Sequence, residues 1–204
     1  TALIEASKTY ELHRINPTLK HNAISRALEE IYPDIYLPLR NEEIVVDDLL
    51  TNSDFESAIA GGAHPSWTNV NSPTVTTETT TVYHLDQSAK MISHASTGAG
   101  QMTQAPSVNI AEIAGRTATF KRWVWSAVAS EARVRLDFDG SQFENSDYHT
   151  GDSSWRLLSA SGAIPTDATQ VKCICEVIVG TKTAYFDGGG GAGLFIHPVH
   201  KYTV

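Results

Sequence analysis

The chain has 204 residues, 41% of them hydrophobic and 19% charged, a length at which roughly 70% of the unfolded chain's surface is buried on folding without help from disulfides or metals. Its formal net charge is −8 and its pI near 5.4, with Lys and Arg scattered, which argues against a nucleic-acid-binding surface. No apolar run approaches the ~20 residues of a membrane span, and no basic-then-apolar leader opens the sequence at Thr1; a removed leader or an upstream segment stays open.

In INPTLKHNAISRALEEIYPD, Asn16 is suited to cap a helix and Pro17 to begin it. Leu19, Ala23, Ile24, Ala27, Leu28 and Ile31 then recur at helical spacing and form one apolar stripe, which Pro33 ends. This predicts an amphipathic helix over about 17–32, within a docking segment 1–48. A single helix cannot bury its own stripe, so the stripe is expected to dock on another part of the molecule or on a second subunit.

From Ile44 onward the pattern changes to short β-type runs separated by Gly, Pro, Asn, Asp and Ser. Strands are expected at 44–50, 66–70, 73–83, 89–93, 107–111, 116–128, 131–138, 154–161, 170–179 and 182–187, the signature of an antiparallel β-sandwich. Cys173 and Cys175 lie two apart on one such strand, a spacing that disfavours a bridge between them and predicts two reduced residues in the core or on a sheet face, as in a reducing cell. The closing DGGGGAGLFIHPV carries too many glycines for a regular strand. It predicts a flexible loop over 188–193 and an apolar tail, with Leu194, Phe195 and Ile196 covered by the N-terminal region or a partner chain.

The eight histidines show no HxxxH or HExxH spacing, there is no GxSxG, and neither cysteine has a basic neighbourhood to activate it. Asp137, Asp139, Glu144, Asp147 and Asp152 cluster in sequence, but on a strand end and a loop where solvated carboxylates are ordinary. A glycosidase would need two of them facing each other across a cleft; the sequence is therefore read as non-enzymatic. The aromatics are more informative. In ATFKRWVWSA, Trp123 and Trp125 project from one strand face together with Lys121, while Phe120 and Val124 take the other. Paired indoles on an open sheet face suit stacking against sugar rings, and the alternative is that one or both are core or interface residues.

These segments fall into a known order. NSDFE (52–56), YHLDQSAKM (83–91), ATFKRWVWS (118–126), ARVRLDFDG (132–140), YHTGDSSW (148–155) and TAYFDG (183–188) resemble the successive hallmarks of jelly-roll carbohydrate-binding modules. The resemblance spans about 49–187 and implies a galactose-binding-like jelly-roll β-sandwich there. It also implies a structural calcium ion between the opening turn and the closing strand, held by Asp54, Glu56 and Asp187 with carbonyls from the turn at 87–90, as calcium's demand for oxygen ligands requires. One departure is Gly188, where the pattern has a second aspartate.

TYELHRINPTLKHNAISRALEEIYPDIYLPL resembles the region that precedes such a jelly roll in virion structural proteins of tailed bacteriophages. That likeness implies a head, neck or tail component assembled in the host cytoplasm, docked on other virion proteins and copies of itself. Its displayed domain would hold host-surface glycans. A carbohydrate-binding module of a secreted glycoside hydrolase is the alternative reading.

Overall fold

The structure is a computed structural model, and residues 48–197 are described. The predicted helix with its stripe from Leu19 to Ile31, the segment 1–47 and the last residues of the tail lie outside them.

Two antiparallel sheets face each other. The first has the order β1 (Thr68–Val70), β4 (Gly100–Gln104), β9 (Lys172–Val177), β6 (Ala132–Asp137) and β7 (Phe143–Asn145). The second runs β2 (Thr74–Glu78), β3 (Ser88–Ile92), β10 (Thr183–Asp187), β5 (Thr117–Trp125) and β8 (Trp155–Ala163), with β11 (Gly193–His197) also on β5. Strand β5 holds this sheet together, because β8 pairs along its whole length on one side while β11 and then β10 share the other.

Alternation along each strand places the core. Met102, Cys175 and Val134 lie opposite one another on β4, β9 and β6 and face Phe120, Val124, Met91, Ala184 and Phe186 of the second sheet, all fully buried. Both cysteines are free and buried. Burial in this apolar layer raises the Cys175 thiol to about 12, so it stays protonated and inert.

Three differences from the predicted elements have local causes. The segment 107–111 is a loop running into a one-turn helix, α1 (Ile110–Ile113), because Asn109 caps it. The Asn109 Oδ1 accepts from the Ala111 N–H at 3.2 Å while its amide donates to Glu112 Oε1 at 2.7 Å. The Thr-rich strand stops at Glu78, whose Oε1 accepts from the N–H groups of Thr79, Thr80 and Thr81 and curls the chain out of the sheet. Residues 48–50 form no strand.

The C-terminal expectation is corrected. GLFIH is a strand of the sandwich, with Leu194 opposite Phe120 and Ile196 opposite Ala118. Leu194 and Ile196 are buried in the domain's own core and Phe195 is half-buried on the other face, so the first two offer nothing to a partner. The sandwich therefore extends to His197, past the expected limit at Asp187. Several of the glycines serve close approach: a Cβ on Gly188 would sit 2.6 Å from Asp54 Cα, and one on Gly189, at φ +91°, 2.7 Å from the His84 side chain.

Candidate functional site

The outward face of the second sheet carries one aligned row of side chains. Strand pairing sets Thr76 opposite Lys90, Lys90 opposite Tyr185, Tyr185 opposite Trp125, and Trp125 opposite Trp155. The Trp125 and Tyr185 rings meet edge to face at 5.1 Å and 85°, and Lys90 Nζ lies 5.7 Å from the Tyr185 ring centre. Lys121, Trp123 and Trp125 do share this face, alternating with buried Phe120, Arg122 and Val124.

The two indoles are placed differently, however. Tyr83 stacks on Trp123 at 3.8 Å and 22°, covering one face of that indole, and also approaches Trp155 at 6.0 Å. Tyr83 itself is 42% exposed. The ring presented to solvent at this end is thus a tyrosine that arrives from 40 residues away in the chain. Trp123 Nε1 donates to the Gly190 carbonyl at 3.2 Å, fixing the ring beneath.

At the other end of the row the face opens into a cleft of about 550 Å³ lined by Lys90, Ile92, Trp125, Val128, Glu131, Lys182 and Tyr185, among others. Lys182 Nζ pairs with the buried Glu131 carboxylate at 2.8 Å. The wall at 126–130 is held from behind by YHTGDSSW. The Ser130 N–H donates to the His149 carbonyl at 3.0 Å and the Ser153 N–H to the Ser126 carbonyl at 3.1 Å. His149 is itself fixed, donating from Nε2 to the Ser154 carbonyl at 3.0 Å and accepting at Nδ1 from the Gly151 N–H at 2.9 Å. A Cβ on Gly151 would lie 2.0 Å from the Ala129 nitrogen, so only glycine lets this turn back the wall so closely.

The three acids expected to hold calcium, Asp54, Glu56 and Asp187, are gathered at the Tyr83 end. Asp187, fully buried, accepts at Oδ2 from the N–H groups of Tyr83 and His84 at 2.8 and 3.0 Å and at Oδ1 from Gly188. Glu56 Oε1 accepts from the N–H groups of Asp86 and Gln87, each at 3.1 Å. Both carboxylates thus grip the 83–87 turn, and Asp187 orients the stacked Tyr83. Asp54 is half-buried and closes the turn on itself, accepting the Glu56 N–H at 3.3 Å. Burial raises the Asp187 carboxyl above its ordinary value, with the nearby Glu56 charge acting in the same direction against the three N–H donors. Among the described residues no three Asp, Glu, His or Cys side chains converge as a metal would need. A calcium ion at this junction would therefore have to complete its shell from carbonyls and water around Glu56 and Asp187, and the missing aspartate at Gly188 could not be restored because its Cβ has no room.

Asp137 and Asp139 do not face a cleft. Asp137 is buried at the end of β6, accepting from the Asp139 N–H and from Gln170 Nε2 at 3.1 Å each. Asp139 lies beyond the strand in the turn, where the Ser141 and Gln142 N–H groups, more than anything else, hold its carboxyl below the ordinary value.

Sequence reasoning missed Tyr83, Tyr185, Trp155 and the Glu131–Lys182 pair. Tyr185 carried one usable signal, alternation with Phe186 in TAYFD. The others depend on strand register and loop paths that no local pattern encodes.

No family model matches the chain, and no curated protein is similar to it in sequence. Among solved structures it is similar to the CBM22-1 xylan-binding domain of Paenibacillus barcinonensis Xyn10C, at 16% identity and a TM-score of 0.50 over 75% of this chain and 95% of that one. A second is an apo cyclase from Fischerella sp., at 10% identity and a TM-score of 0.54 over 74% and 96%. A third is the enzymatically active domain of tailspike protein 4 of bacteriophage CBA120, at 14% identity and a TM-score of 0.50 over 74% of this chain and 21% of that one. At these identities the likeness fixes the fold, a carbohydrate-binding-module-like jelly roll, and leaves the activity to the site.

Proposed function

We propose that the sandwich is a non-catalytic glycan-binding module whose binding surface is the outward face of the second sheet. The observation that carries this is the aligned row Tyr185–Trp125–Trp155 running into a cleft whose largely apolar lining carries a few charged and hydroxyl groups. Flat rings stack against the C–H faces of sugars, and the charged and hydroxyl groups around them accept and donate to the hydroxyls. The residues lining the cleft include one buried carboxylate, Glu131, already paired with Lys182. Among the described residues the cleft lacks the two opposed carboxylates of glycoside hydrolysis, which supports binding over catalysis.

The test is a glycan array with the wild-type chain and with Trp125→Ala and Tyr185→Ala. Each substitution removes one stacking ring from a half-exposed position, so binding is expected to fall about tenfold while the fold persists. Equal binding by all three chains, or none by the wild type, would end the proposal.

The wider setting proposed for the module is a bacteriophage virion, where many copies multiply weak sugar contacts. The N-terminal sequence and the tailspike similarity support it. The xylan-binding neighbour supports a module of a glycoside hydrolase about as well. Light scattering separates the two, since a fixed oligomer is expected of a particle component and a monomer of an enzyme appendage. The proposed calcium ion at Glu56 and Asp187 is tested by melting. Millimolar calcium is expected to raise the melting temperature in the wild type and not in Glu56→Ala; no rise in either leaves the N–H bonds as the whole of that junction.

A further inference from the structure

The cleft at the end of the aromatic row has a charge imbalance that a neutral sugar would not use. Three charged side chains line it: Lys90, Lys182 and Glu131. Lys182 and Glu131 neutralise each other at 2.8 Å. Lys90 has no carboxylate within ion-pairing distance among the described residues. The Thr80 N–H, 2.7 Å from Oε1, chiefly holds the carboxyl of Glu78 on β2 below its ordinary value, and the Lys90 charge is close enough to help; the two make no ion pair, Glu78 giving that oxygen to the loop beyond. Lys90 instead sits against the Tyr185 ring, half-buried on β3 between the edge strand β2 and β10. An ammonium held there by an aromatic face is poised for a ligand's negative charge, and it stands out on a chain of net charge −8.

We propose that this module selects acidic glycans, the cleft taking a sugar that bears a carboxylate or sulfate group. The sugar ring stacks on Trp125 and Tyr185 while its anionic group bonds to Lys90. The idea rests on the glycan-binding reading of the same face, and adds the charge of the ligand to it. Stacking alone tolerates many sugars; the Lys90 ammonium, which has no ion pair among the described residues, converts that tolerance into a preference, because a charged acceptor makes the stronger hydrogen bond.

The experiment is an array of neutral glycans beside matched uronate-, sialate- and sulfate-bearing ones, probed with the full chain, with Lys90→Gln and with Trp125→Ala. The wild type is expected to favour acidic glycans about tenfold over their neutral matches, the usual size of a hydrogen bond to a charged group. Lys90→Gln, checked for an unchanged melting temperature, is expected to erase that preference, and Trp125→Ala to weaken both classes together. Equal binding of neutral and acidic glycans, or an acidic preference that survives Lys90→Gln, overturns the selectivity and leaves the binding module standing. Failure to bind any glycan removes both.

Discussion

Arg122 shows how much a single residue can depart from its pattern. Alternation along ATFKRWVW puts it on the core face beside Phe120 and Val124, and it is indeed fully buried. Its Nη1 donates to the Ser53 carbonyl, while Nε and Nη2 have no partner among the described residues. The guanidinium lies 5.2–5.4 Å from the Phe55, Trp67 and Phe120 ring centres, so aromatic faces stand in for a counter-charge. Its contribution is mainly volume. Arg122→Met, of similar bulk, is expected to change stability by less than about 1.5 kcal/mol, whereas Arg122→Ala leaves a cavity and costs about 3 kcal/mol or more; denaturant melts of the two variants compare them directly. Gly188→Ala pushes a methyl to within 2.6 Å of Asp54 Cα and is expected to cost about 1–3 kcal/mol, or several degrees in melting temperature. At this scale the parity of side chains was legible in the sequence. What lay across from them was not: the face-sharing of Trp123 and Trp125 could be read, but the Tyr83 ring on top of Trp123 could not.

Elements were legible where composition and burial agreed. β5, β6, β9 and β10 combine β-branched or aromatic residues with clean alternation, and their sequence predicts them closely. β4, GQMTQ, is short and flanked by glycine and proline, and its strand state comes from being clamped between β1 and β9. β11 was hidden by the glycines before it, whose role is to let the chain pass close to Asp54, His84 and Asp48. One ionic cluster belongs to this scale because it spans three strands. Glu176 on β9 is paired with Arg133 and Arg135 of β6, each at 2.6 Å, and accepts from Gln101 of β4 at 2.9 Å. Burial pushes its carboxyl up, but the two guanidinia outweigh that and hold it below the ordinary 4.5. A depressed carboxyl stabilises the fold above its unfolded value and loses that contribution as pH falls through the folded one. Stability is therefore expected to drop below pH 4.5, and Glu176→Gln to be about 2 kcal/mol less stable at neutral pH with a flatter acid limb, read from melting curves between neutral and acidic pH. The raised carboxyl of Asp187 works in the opposite sense, its contribution being greatest below 3.8 and declining as pH rises through the folded value.

For the molecule as a whole, short strands separated by turn signals were enough to expect an antiparallel sandwich, and the likeness of the ordered motifs from NSDFE to TAYFDG to those of carbohydrate-binding modules made it a jelly roll. The binding face was half legible. Its strands could be named, but the row across them is a product of register, and the cleft wall depends on a turn, YHTGDSSW, whose own residues never reach the surface of the cleft. The acidic motifs proved to be organising elements as well as candidate ligands: Asp187 and Glu56 seat the 83–87 turn, and through it Tyr83. Asp187→Asn is accordingly expected to loosen Tyr83 and lower glycan affinity without touching the cleft, an effect that tyrosine fluorescence or an amide spectrum of the 83–87 turn would register beside the binding curve.

One contact has a consequence for how such a domain can be handled by engineers and by evolution. The Leu194 N–H donates to Asp48 Oδ1 at 2.9 Å, and the Leu49 N–H to the Leu194 carbonyl at 3.4 Å, so the chain enters and leaves the sandwich at one place. A circular permutant of residues 48–197 that bridges this junction with a short linker and opens the chain in the exposed loop 95–97 between β3 and β4 would preserve every strand pair, since it breaks only a surface loop. The order in which the strands are connected is thus separable from the face they build, and the same row of rings could be spliced into a loop of an unrelated host.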